Sequence, residues 1–215
     1  MTSYLFASEC QQLKYICAKA ITCPFKALIT FAPSAKSMGQ ITLHSKQFEE
    51  YLEEKEILAA ISRLGEEINE KYIGKKVLFV GVLNGAFMFC SDLLKNIGLE
   101  CEISFIKLAS YHGTSSTGIV KQLIGLNENL NNQHLIILED IIDTGNTVEK
   151  IMEDLKLFEP ASVAIACLLF KPSAYKKNIP IDFVGIEIPD DFIVGYGLDY
   201  DGLGRNLKDI YKLRN

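Results

Sequence analysis

Five short apolar runs, rich in β-branched residues, recur along this chain: Val77 to Leu83, Cys101 to Leu108, Leu135 to Leu138, Val163 to Phe170 and Phe183 to Ile188. Runs of this kind mark strands buried on both faces. Helix-like segments separate some of them, notably Ala86 to Ile97 and Thr147 to Phe158. The order strand, helix, strand implies an α/β fold with a central, mostly parallel sheet flanked by helices. Ligands of such sheets bind beyond the carboxyl ends of the strands. The loops there are the place to look for chemistry. Ahead of the first run, Phe48, Leu52, Ile57, Leu58, Ile61, Leu64 and Ile68 recur at helical spacing. That spacing predicts one or two amphipathic helices between Gln47 and Lys71.

Composition narrows the field of functions. A length of 215 residues, 48% of them hydrophobic, suits one domain with a sizeable core and at most a small appendage. The formal net charge of -5 argues against nucleic acid or an anionic membrane as a main partner, since binders of either carry a broad basic face. Six cysteines without a C-x-x-C pair argue against a zinc site and fit a reducing cytoplasm. No apolar run approaches the roughly 18 residues needed to cross a bilayer. Residues 1–37 carry Lys14, Lys19, Lys26 and Lys36 against Glu9 alone, whereas the remainder is acidic. The expected division is an N-terminal extension over 1–37 and a single domain over 38–215, with Met38 opening the conventional segment. A targeting peptide is the alternative for 1–37, though Cys23-Pro24-Phe25-Lys26 interrupts its apolar part.

The most informative stretch runs from Leu135 to Thr147. A buried strand leads into Glu139 and Asp140; then Asp143, Thr144, Gly145, Asn146 and Thr147 form a turn of small polar residues that opens a helix. Backbone N–H groups and two hydroxyls at a helix N-terminus make a site for a phosphate monoester. Carboxylates beside a phosphate repel it unless they face hydroxyl donors or a metal, and ribose with Mg²⁺ meets both conditions. The plainer alternative is that Asp143 or Thr144 caps the helix. Capping accounts for one residue and leaves Glu139-Asp140 unexplained.

Glu139 to Thr147 resembles the signature with which type I phosphoribosyltransferases bind 5-phosphoribosyl-1-pyrophosphate (PRPP), in the form found in hypoxanthine-guanine phosphoribosyltransferases. The likeness extends from roughly Gln40 to Leu213. It implies that the sheet carries a small hood, built from the C-terminal residues and part of the region before Val77. It further implies that Glu139 and Asp140 hold the ribose hydroxyls and the magnesium neighbourhood, that Thr144, Gly145, Asn146 and Thr147 cradle the 5′-phosphate, and that Asp143 sits against N7 of the purine.

Three further loops gain meaning from the same resemblance. Gly81-Val82-Leu83-Asn84-Gly85 corresponds to the pyrophosphate loop, with a non-proline cis peptide expected at Leu83-Asn84. Many relatives carry lysine where Asn84 stands, so pyrophosphate here relies more on backbone N–H groups, Arg205 and magnesium. Ser110-Tyr111, in a glycine-rich polar stretch, matches the Ser-Tyr pair of a lid that keeps water from an oxocarbenium-like ribosyl centre. Lys171 matches the donor to the 6-oxo group, Phe192 the aromatic stacked on the base, and Phe192 and Ile193 the backbone groups at its pyrimidine edge. Asp199 matches a ligand of a second magnesium. The implied activity joins a 6-oxopurine to PRPP in a cytoplasmic homodimer or homotetramer, with Mg²⁺ as cofactor and neither nucleic acid nor membrane as partner. A transferase for xanthine, uracil or orotate is one rival. A PRPP-sensing regulator that keeps the loop without catalysis is another.

Overall fold

The structure is a computed structural model that describes residues 39–108, 122–124 and 130–214. The expectations for residues 1–37 and for Ser110 and Tyr111 fall outside the described residues. All five apolar runs are strands. They appear as β3 (Val77–Leu83), β4 (Cys101–Leu108), β6 (His134–Ile142), β7 (Ser162–Phe170) and β8 (Phe183–Glu187). Five parallel strands in the order β4-β3-β6-β7-β8 form the main sheet, and β5 (Gln122–Ile124) adds an antiparallel edge beside β4.

Residues alternate between two cores along each strand. Phe79, Ile136, Leu138, Ala164 and Ala166 face one way, against Ile57, Ile61, Leu64 and Ile68 of helix α1 (Glu54–Lys71) and Phe89 and Leu93 of α2 (Phe87–Leu94). Leu78, Val80, Leu135, Ile137 and Ile165 face the other way, against Val148, Ile151 and Leu155 of α3 (Asn146–Leu155). Helices cover both faces, so neither needs polar residues. That is why the strands read as unbroken apolar runs.

The structure departs from the sequence reading between Gln47 and Lys71. Lys46–Leu52 is strand β2, and the helix begins only at Glu54, where the Glu56 side chain accepts from the Glu53 N–H at 3.0 Å. Phe48 and Leu52 stand four residues apart, an interval that fits a helical face and one side of a strand alike. Tertiary pairing settles the choice. β2 lies between β1 (Gln40–Leu43) and β10 (Ile210–Leu213), and β9 (Ile193–Val194) completes a separate four-stranded antiparallel sheet in the order β1-β2-β10-β9. This second sheet is the expected hood, drawn from both ends of the domain.

Phe79 sits in the central strand with no exposed surface. Phe79→Ala should lower the unfolding free energy by about 3–5 kcal/mol, through lost transfer energy and the cavity left behind. Urea denaturation followed by circular dichroism measures it.

Candidate active site

Strand β6 does not stop at the acids but carries them inside the sheet as far as Ile142. Glu139 is 5% exposed and Asp140 9%. After Asp143 and Thr144, both exposed, the chain turns at Gly145 with φ 83° and enters α3 at Asn146. Left-handed backbone favours glycine, and a Cβ on Gly145 would also collide with the Tyr175 ring and Lys177. Gly145 itself is the N-cap, and no side chain caps the helix. Neither Asp143 nor Thr144 takes that role, so the first-turn N–H groups remain available, backed by the helix dipole.

Two loops close around Asp140. Leu83 ends β3, the Leu83–Asn84 peptide is cis, and Asn84 is exposed. Gly85 packs so closely on Asp140 that a Cβ there would overlap the carboxylate, and a Cβ on Gly197 would overlap the Gly85 carbonyl. The second loop is braced from within. Arg205 donates to the Gly197 carbonyl at 2.6 Å and pairs with Asp199 at 2.5 Å, while the Gly197 N–H donates to the Arg205 carbonyl at 3.0 Å.

These surroundings control the charge on the acids. Burial, joined by Asp199, pushes the Asp140 carboxyl up to about 6, with backbone N–H groups and Arg205 pulling the other way. Burial and the neighbouring Asp140 push Glu139 well above the usual carboxylate range. Both acids would hold their protons more tightly than a solvated carboxylate until a cation or hydroxyl donors arrive. Among the described residues no group of three or more His, Cys, Asp or Glu side chains is arranged to hold a metal ion. The available set is hard oxygen donors, one or two carboxylates at a time. That suits Mg²⁺, which takes most of its shell from water and substrate oxygens. Among the described residues Cys90 and Cys167 are buried, and burial reinforced by Asp140 pushes the Cys90 thiol up to about 12, which suits neither to act as a nucleophile.

On the other side of Asp143 stands Lys171, directly after β7 and only 7% exposed. Its ammonium lies 3.1 Å from Asp190 Oδ1 and 3.7 Å from Asp143 Oδ2. Phe192, at 46% exposed, offers the most open aromatic ring nearby, backed by Phe48 at 6.2 Å and by the edge of Tyr200 at 5.8 Å. The ladder assigns the backbone groups. The Phe192 carbonyl accepts from the Leu213 N–H, and Ile193 stands opposite Lys212 in β10. Antiparallel alternation therefore turns the N–H and C=O of Ile193 away from β10, toward the free edge of the hood. Of the two residues, only Ile193 presents both its backbone groups outward.

Asp190, Tyr200 and Lys46, whose ammonium lies over the Tyr200 and Phe192 rings, carried no signal in the sequence. Asp190 meets Lys171 and Tyr200 meets Phe192 within the C-terminal part of the chain, whereas Lys46 reaches Phe192 from β2, near the start of the domain.

The raised Asp140 carboxyl makes a signed prediction for the metal-free, ligand-free protein. An acid whose folded value exceeds its ordinary 3.8 destabilises the fold as it ionises, so the penalty is absent below about pH 4, grows toward about 6 and is complete above. Asp140→Asn should be more stable than the parent by about 1–3 kcal/mol at pH 7.5. The difference should vanish near pH 4. Paired urea titrations at the two pH values check it.

Comparison with known proteins places this geometry. A family model described as the phosphoribosyl transferase domain matches residues 47–201. The hypoxanthine phosphoribosyltransferase of Escherichia coli K12 is 45% identical over 74% of this chain and 92% of its own length. The hypoxanthine-guanine phosphoribosyltransferase of Staphylococcus aureus Mu50 is 41% identical over 80% and 97%. A crystal structure of a Staphylococcus aureus hypoxanthine phosphoribosyltransferase superposes with a TM-score of 0.73 at 42% identity, covering 77% of this chain and 91% of that one. The chain thus belongs to the phosphoribosyltransferase family, in its hypoxanthine-guanine branch.

Proposed function

We propose that the protein is a purine salvage enzyme that joins hypoxanthine, and guanine beside it, to PRPP, giving the nucleoside 5′-monophosphate and pyrophosphate. The observation that carries the reading is the convergence at the end of β6 of an uncapped helix N-terminus, two buried acids and a buried lysine within ion-pair distance of Asp143. Thr144, Gly145, Asn146 and Thr147 bind the 5′-phosphate. Glu139 and Asp140 accept from the ribose hydroxyls. Leu83, Asn84 and Gly85 with Arg205 bind the pyrophosphate. Glu139 and Asp140 would hold one Mg²⁺ and Asp199 a second, and the ions when bound would neutralise the pyrophosphate oxygens.

The base stacks on Phe192, Lys171 donates to its 6-oxo group, and Ile193 meets its pyrimidine edge. As N9 forms a bond to C1′ and the bond from C1′ to the pyrophosphate oxygen breaks, the N7 proton passes to Asp143. Catalysis is a matter of positioning and charge stabilisation, with no covalent enzyme intermediate. Ser110 and Tyr111 belong to the segment that shields the ribosyl centre from water. The enzyme works in the cytoplasm as a homodimer or homotetramer, and residues 1–37 are an extension outside the catalytic domain 38–215. No helix among the described residues is long and apolar enough to cross a membrane.

A PRPP-dependent synthesis assay with hypoxanthine, guanine, xanthine, adenine and uracil tests the reading. Turnover is expected with the first two and little with adenine or uracil. Asp143→Asn should slow kcat by roughly 10²–10⁴, the usual contribution of a positioned acid or base. Lys171→Met should narrow the preference over adenine by about 1–3 kcal/mol, the value of one buried donor mismatch. Binding of PRPP without consumption of any base would overturn the reading in favour of a sensor.

A further inference from the structure

Directly after β9 three consecutive residues, Gly195, Tyr196 and Gly197, take positive φ of 104°, 47° and 97°. Glycine enters that region freely, whereas a side chain stays there only when its surroundings hold it. Tyr196 is held from several sides. It is 2% exposed, its ring belongs to the core that α1 and α2 share, and its N–H donates to the Leu207 carbonyl at 2.8 Å. Its hydroxyl donates to Asp92 Oδ2 at 2.5 Å. Burial and Asp92 push the phenol well above its ordinary range, so it remains a donor at neutral pH.

The tie joins two loops that the proposed reading gives to pyrophosphate. Asp92 stands on α2, which opens at Phe87, two residues after Gly85. Gly197, next to Tyr196, lies so close to the Gly85 carbonyl that a Cβ on it would overlap that oxygen. Gly197 also exchanges two hydrogen bonds with Arg205: its carbonyl accepts from the guanidinium at 2.6 Å, and its N–H donates to the Arg205 carbonyl at 3.0 Å. One glycine thus touches both the Gly85 turn and Arg205. The side chain beside it is anchored to the helix that follows that turn.

We infer that Tyr196, through its hydroxyl bond to Asp92, is a positioning residue for pyrophosphate, fixing the distance between the Gly85 turn and the Arg205 guanidinium. It acts through Gly197 rather than on the ligand. The inference rests on the assignment of Gly85 and Arg205 to pyrophosphate under Proposed function. The base side has supports of its own, Lys171 between Asp143 and Asp190 and Phe192 against Phe48. Loss of the tie should therefore be felt by PRPP and pyrophosphate and not by the purine.

The test compares wild type with Tyr196→Phe, Asp92→Ala, Asp92→Asn, the double variant Tyr196→Phe/Asp92→Ala and, as a control, Lys95→Met. Lys95 pairs with the other oxygen of Asp92 at 2.7 Å and takes no part in the tie. The readouts are the KM for PRPP, the Ki of magnesium pyrophosphate and the KM for hypoxanthine. Tyr196→Phe and Asp92→Ala should each raise the first two about fivefold or more, a fraction of what a hydrogen bond to a carboxylate is worth. The hypoxanthine KM should stay within about twofold. Asp92→Asn keeps an acceptor for the hydroxyl and should recover most of the loss, and Lys95→Met should match wild type. The double variant should be no worse than the worse single, since both remove one bond. Tyr196→Phe keeps the ring, and should it fail to fold, Asp92→Ala and Asp92→Asn carry the same comparison at a partly exposed site. Unchanged PRPP and pyrophosphate constants, an equal rise in the hypoxanthine KM, or losses that add in the double variant overturn the inference while the enzyme assignment stands. Wild type that turns over no 6-oxopurine overturns both.

Discussion

Two carboxylates side by side near the end of a buried central strand are the constraint around which the rest of this structure is arranged. Glu139 and Asp140 are held inside the sheet by the backbone pairing of β6 with β7, so they cannot escape to solvent by rotating a loop. Like charges in that position oppose ionisation, and Asp140 is pushed up to about 6 by burial even with Arg205 nearby. Protonation relieves the pair at low pH, and above about pH 6 the fold carries the cost of an ionised Asp140. A ligand that brings hydroxyl donors and a divalent ion supplies the compensation the protein lacks. On the proposed reading, a metal-bound sugar phosphate is the ligand that would make up that deficit.

The base side works by the opposite device, a cation between two acids. Lys171 is nearly buried and stands within ion-pair distance of Asp143 and Asp190, so its ammonium is fixed in direction before any base arrives. A long flexible side chain loses rotamer freedom when it is ordered, and here the ordering is done by neighbours already in place. Asp143 serves both halves. It lies between the turn that opens α3 and the lysine, the place the proposed reading gives to the acceptor of the N7 proton.

The parallel sheet was legible from the sequence because strands covered on both faces leave an unmistakable apolar record. The acids were legible as an anomaly, charged residues where that record should have continued. Residues 47–52 were misread because Phe48 and Leu52 satisfy both periods, and because the partner that makes them a strand lies at Ile210–Leu213. The same cause hid Lys46. No local pattern announces a residue whose role is created by a strand more than a hundred positions away. Phe192 and Ile193 were reached through family likeness, yet the sorting of their backbone groups required the ladder with Lys212 and Leu213.

The hood is a sheet of two distant halves, and this has a temporal meaning. β2 leaves the ribosome roughly 160 residues before β10, a wait of roughly 10–30 s at ordinary rates of synthesis. During that interval β6 and α3 can take shape, while β9, once made, has no ladder to join until β10 follows. The hood is closed only when β10 enters between β2 and β9, and that strand is the bolt that slides home last.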